Sequence, residues 1–305
     1  FPGTQRDTAF NRLLLAHDLD RFYHSYTFDV RPVSDDRPFF FYTVQPRDLW
    51  NFFLHASRAT ADYKVNNALP VLYGVVAISI VATIIILSLP PILFRNRLPL
   101  TSGGIPALLF FLFLGAGYIL IQVALIQKFV LFLGHPTRAL TVIIFSMLVS
   151  SGVGSFVSKR LIHSQAVNLS RVLLTIVAGT VVLSFVVTPI AEGGVALPYP
   201  FKVVLSVALI APLGFAMGMP FPSGLSLLEK IMPSSVRWAW AINAASSVLG
   251  SAAAIFFAIY FGLRTTLIIG GACYLAAWLS AMNSALRRES AIELPRAEPA
   301  AVKPA

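Results

Sequence analysis

With 305 residues, 57% of them hydrophobic, only 12% charged and a mean hydropathy of +0.77, the chain is not a soluble globular domain, since such domains carry roughly 25% charge. Its net charge of +10 is spread over short loops, a pattern that excludes nucleic acid as a partner and fits Lys and Arg flanking membrane spans against a lipid bilayer. The single cysteine, Cys273, excludes an internal disulfide and a cysteine metal cluster, and no metal site is expected.

The polar part comes first. Residues 9–26, "AFNRLLLAHDLDRFYHSY", predict two short helices, and "TFDVRPV" (27–33) and "RPFFFY" (37–42) carry the alternation and aromatic content of strands. Forty-five residues of this kind are too few for an independent core, so 1–45 is expected to be the terminal segment of a larger domain. Residues 46–68 form a linker. Within it, "PRDLWNFFLHA" (46–56) suggests either an interfacial helix, with Asp48 as N-cap and Trp50 at headgroup level, or an ordinary packed helix.

A bundle over 69–283 follows. A crossing needs roughly 20 apolar residues, and seven such runs are predicted: 69–92, 105–131, 139–157, 172–190, 202–228, 239–261 and 264–283. The fold class is therefore all-α, a polytopic transmembrane bundle behind a short α/β tail. The tail 284–305 is rich in Pro, Ala and charge and is expected to be disordered. Lys and Arg weigh nine to six toward the side holding the C-terminus (for instance Arg95, Lys159, Arg160 and Arg237 against Lys128, Arg138 and Lys202), which leans toward a cytoplasmic C-terminus.

No span carries a central Asp, Glu, Lys or Arg, which counts against a proton-driven transporter. The polar positions inside are Gln122, Gln127 and Asn243. They fit either hydrogen bonds between helices or the lining of a polar cavity. Small residues recur at helical spacing: Ser150 with Gly154, Ser151 with Ser155, Gly214 with Gly218, and Ala244 through Gly250 to Ala254. Such faces allow helices to approach closely in lipid.

"GMPFPSGL" (218–225) predicts an interrupted helix facing the bundle interior. Pro220 and Pro222 remove two backbone donors, leaving the carbonyls of Ala216 and Gly218 to be met by Asn243, Ser246 or Ser247. Gly218 and Gly224 loosen the flanks. One reading is a structural kink. The other is a cavity where Ser223 and Gly224 offer N–H groups to an anion, with Gly224→Val abolishing binding while the fold persists. His135 in "LGHPTRAL" suits a turn or a titrating group.

Four stretches together carry a resemblance: "PVSDDRPFFFY" (32–42), 117–155, "GFAMGMPFPSGL" (214–225) and 237–278. The chain resembles the C-terminal membrane portion of bacterial integral-membrane spermidine synthase-like proteins, in which a Rossmann-like aminopropyltransferase domain is fused to membrane helices. The resemblance implies multi-pass residence in a bacterial inner membrane and a Rossmann-like domain upstream, with "SDDRPFFFY" as its closing segment. It implies decarboxylated S-adenosylmethionine or S-adenosylmethionine as cofactor of that domain, and a polyamine as possible ligand. Asp35, Asp36 and Arg37 then serve as turn and ion-pair residues, or the two acids face a polyamine amine. The glycine-rich cofactor loop and catalytic acid lie outside these residues, so the chain alone is expected to be inactive. Where the family often has a glutamate ahead of "ALIQ", this chain has Gln122. A polytopic transporter for a neutral or anionic solute, or a non-catalytic anchor, are the competing readings.

Overall fold

The computed structural model describes residues 9–26, 30–39, 68–94, 104–162 and 166–284. It divides into two units, Phe1–Val75 and Val76–Ala305. The expected linker helix at 46–56 and the tail beyond Ser284 lie outside the described residues.

In the first unit, α1 (Ala9–Leu14) and α2 (Leu19–Ser25) follow the expected pair. Asp18 caps α2, its carboxylate accepting from the Arg21 N–H at 3.0 Å, which satisfies one of the free donors of the first turn. The strands expected at 27–33 and 37–42 are not found among the described residues. Only an isolated bridge joins Ser34 and Arg37, closed by the Arg37 N–H donating to the Ser34 carbonyl at 2.8 Å. A strand needs a ladder partner to hold its backbone groups, and a tight turn pairs only its own ends.

The remaining helices are α3 (Ala68–Phe94), α4 (Gly104–Leu133), α5 (Pro136–Ile162), α6 (Ala166–Gly193), α7 (Tyr199–Met217), α8 (Pro220–Ile231), α9 (Val236–Phe261) and α10 (Leu263–Asn283). The architecture is an all-α polytopic bundle. Among the described residues six helical stretches are long and apolar enough to cross a membrane, α7 and α8 together forming one of 33 residues. Seven were expected. The additional one corresponds to α3, whose apolar stretch is Val71–Ile85 within the residues searched.

Helix ends explain the register. Gly134, at φ 77°, closes α4 in the left-handed region that favours glycine. The next residue opens α5: His135 Nδ1 accepts the Thr137 N–H at 3.2 Å and its carbonyl accepts the Ala139 N–H at 3.1 Å. His135 is thus a helix cap. Gly262, at φ 89°, turns α9 directly into α10.

α4 is the central helix. Half of its most apolar stretch is buried inside the bundle, against 22% for α5, and Phe110, Phe111, Ile121, Leu125 and Phe129 are closed off from the outside. Glycines set how closely its neighbours approach. A Cβ at Gly115 would run into Ser246 and Asn243 of α9, and one at Gly117 would sit 3.0 Å from Cys273 and Tyr274 of α10. Lipid gives apolar helices no hydrophobic drive to associate, so close van der Waals contact of this kind holds the bundle together.

Candidate functional site

α5 and α7 meet through the two small-residue faces read in the sequence. A Cβ at Gly154 would strike the Phe215 carbonyl, one at Gly218 the Ser151 carbonyl, and one at Gly214 the Ser150 hydroxyl. The backbones therefore run close enough for Cα–H to face carbonyl oxygen in both directions, a weak attraction that recurs at tight helix crossings.

This contact leads directly into the interruption. α7 ends at Met217 and α8 begins at Pro220, so the break falls at Gly218–Met219, slightly ahead of the two prolines. The proline ring presets φ for a helix and lacks an N–H that a first turn would leave unused, so Pro220 starts a helix here. Pro220 is buried and Pro222 half-buried, which places the break within the bundle.

The donors are not those expected. The Ala216 carbonyl accepts the Met219 N–H at 3.2 Å, a tightened turn of the α7 end, and the Gly218 N–H reaches the Gly214 carbonyl at 3.1 Å. Asn243 donates instead to the Phe111 carbonyl of α4 at 3.0 Å, while the Ser246 and Ser247 hydroxyls both return to the Asn243 carbonyl at 2.9 Å. Serine in a helix readily bonds back one turn, and Gly115 lets Asn243 reach across to α4.

At the α8 start, the local bonding takes up one of the N–H groups expected for an anion. The Ser223 N–H donates to the Met219 carbonyl at 3.3 Å, and the two prolines have no donor to offer. Gly224 is buried against the Phe110 ring, which a Cβ would overlap, so Gly224→Val would disturb packing and is no selective probe of binding.

Beside the break lies a cleft of about 410 Å³, within the roughly 300–1,000 Å³ range of small-molecule sites. Its floor is α4 at Leu114, Gly115 and Tyr118. One wall is α5 at Leu148, Ser151, Gly152 and Ser155, and the other is α9 at Asn243 and Ser247. Met217, Gly218, Phe221 and Pro222 close one end, and Tyr274 of α10 adds a further contact. Phe221 is held in place by edge-on ring contacts with Phe111 and with Trp240, centroids 5.6 and 4.7 Å apart. Ser151 is in hydrogen-bonding reach of the Tyr118 hydroxyl. Among the described residues, no carboxylate, amine, guanidinium or imidazole lines the cleft.

The sequence candidates thus separate. Gly218, Pro222 and Asn243 line the cleft, together with Tyr118 and Tyr274, which periodicity could not single out from other aromatic positions. Pro220, Ser223 and Gly224 belong to the α8 start without lining it, and Gln122 and Gln127 are half-buried on α4, also outside its lining. Asp35 and Asp36 occupy the turn between Ser34 and Arg37 in the first unit. Comparison of the chain with protein-family profiles, with curated proteins and with solved structures found no match.

One basic residue counted among those flanking the spans is buried in the bundle. Lys128 lies in α4, within the predicted span 105–131; it is buried, and its ammonium donates to the Thr188 hydroxyl of α6 at 2.9 Å. Around this end of the bundle, Arg138 lies over the Tyr199 ring, Lys202 over Phe132 and Arg264 over Phe185, at 4.7, 5.4 and 5.2 Å. Cation–ring contacts of this type hold long basic side chains against an apolar body.

Proposed function

We propose that the chain is the membrane-embedded part of a spermidine synthase-like protein, and that its bundle both anchors a Rossmann-like catalytic domain and holds a small ligand in the cleft beside the α7–α8 break. The four stretches that carry the family resemblance support the first half. The observation that carries the second is the cleft itself: three short hydroxyls, one amide and two tyrosines gathered where six helices and an interrupted backbone converge. Polar groups at such a depth cost free energy in hydrocarbon unless a partner or ligand meets them. Among the described residues the lining has neither an acidic nor a basic side chain, so the ligand is read as uncharged and the cleft not as a polyamine path, which would need compensating negative charge. A polyamine and decarboxylated S-adenosylmethionine belong, on this reading, to the upstream domain.

The coding sequence ahead of Phe1 tests the enzyme half. A strand followed by a glycine-rich turn, with an acid roughly 20 residues on, is expected. A further membrane span in that position would favour a free-standing transporter. The full-length protein should bind decarboxylated S-adenosylmethionine or S-adenosylmethionine in calorimetry, and absence of binding to either would count against the assignment.

A further inference from the structure

We propose that the cleft takes its ligand sideways from the bilayer, and that the ligand is a neutral amphiphile with a hydrogen-bond-donating head, an alcohol or a primary amide, on an apolar tail. The inference rests on reading the cleft as a ligand site.

Three observations carry it. First, the level of the cleft is the middle of the helices that build it: Ser151 in α5 (Pro136–Ile162), Tyr118 in α4 (Gly104–Leu133), Ser247 in α9 (Val236–Phe261) and Tyr274 in α10 (Leu263–Asn283) are all close to their helix centres. A site at that depth is separated from either aqueous side by roughly 15 Å of hydrocarbon. Second, the mouth opens laterally. α5 and α9 do not pack closely on each other, and α9 packs on α4. Gly152 faces open space, with nothing within 4 Å of where a Cβ would stand. Leu148, which lines the cleft from α5, is 58% exposed, and at this depth exposure means lipid. Third, the polar lining is short of donors from a guest. The Ser151 and Ser247 hydroxyls are already committed to carbonyls one turn back, and the Asn243 amide N–H to Phe111. Of the serine and amide groups of the lining, the amide oxygen of Asn243 is left to accept and the hydroxyl of Ser155 to accept or donate. A hydroxyl or amide head would donate to them while its tail lies along Leu114, Met217 and Phe221. A charged head would meet no counter-ion and would have to be stripped of water.

The test uses the chain in phosphatidylcholine nanodiscs and hexadecanol carrying a photoreactive diazirine beside the hydroxyl. Cross-links are expected within residues 148–155 and 243–247, displaced by unlabelled hexadecanol and not by spermidine. They should be lost in Gly152→Trp, which plugs the mouth; Ser247→Phe on the opposite rim serves the same purpose if that variant does not fold. Labelling spread equally over outward side chains such as Phe145 and Phe156, unaffected by either plug, would mean annular lipid only and overturn the proposal. A cysteine at Ser155, in a Cys273→Ala background, separates this inference from the broader one. Its modification by a membrane-impermeant methanethiosulfonate would show entry from water, overturning sideways access while leaving a ligand cleft in place. Access by neither the reagent nor the alcohol would remove both.

Discussion

Gly152 and Gly154 stand two residues apart on α5 and face opposite fates. A Cβ at Gly154 would enter the Phe215 carbonyl, and one at Gly152 would touch nothing. Gly154→Ala should therefore destabilise the bundle by about 1–3 kcal/mol, the usual cost of overpacking, while Gly152→Ala should be neutral within measurement. Thermal unfolding of the two variants in the same detergent checks the contrast, and equal midpoints would contradict the tight α5–α7 crossing. Asn243→Ala removes the bond to Phe111 and should cost about 1 kcal/mol, in the range for hydrogen bonds between helices in membranes. Combined with Phe110→Ala, which makes room at Gly224, the variant Gly224→Val should recover part of the stability it loses alone, because the clash is with that ring.

At the scale of elements, the helix spans and their punctuation were legible because apolar runs bounded by Gly, Pro and basic residues have few other readings. Gly134 and Gly262 end their helices where the sequence places turns. The small-residue faces were also legible as faces, but not as a pair: nothing in the spacing of Ser150 and Gly154 says that Gly214 and Gly218 lie opposite. The donors around the prolines were misassigned because a tightened turn, with Met219 bonding Ala216, satisfies locally what seemed to require another helix. The strands at 27–33 and 37–42 were read from alternation and from aromatic content, which report a half-buried surface more than a backbone preference. Lys128 falls inside the predicted span 105–131, but its burial against α6 was not legible, because nothing in the spacing says which helix faces it. A prediction follows for the break. In Pro220→Ala with Pro222→Ala, two new N–H groups can bond back to Ala216 and Gly218, and α7 should run into α8 as one helix. Amide hydrogen exchange at Met219 and Phe221 should then slow by about an order of magnitude or more. Unchanged exchange would show that tertiary packing, and not the prolines, sets the turn.

For the whole molecule, alternation of the crossings puts the α4–α5 and α6–α7 turns on one side of the membrane and the α5 end and the α8–α9 turn on the other. Single cysteines at His135 and Val195 should label together from one side, and cysteines at Arg160 and Ser234 from the opposite side, in a Cys273→Ala background. Labelling of Val195 and Ser234 from the same side would remove the α7–α8 crossing. Ligand entry from the bilayer requires a cleft that lies deep in that bundle and opens toward lipid. The most direct measurement is the collision rate of a nitroxide spin label at Gly152, in a bilayer, with dissolved oxygen and with a water-soluble nickel chelate. Oxygen concentrates near the bilayer centre and the chelate stays in water, so a deep, lipid-facing Gly152 should give frequent collisions with oxygen and few with nickel. The reverse order, with nickel reaching the label readily, would contradict it.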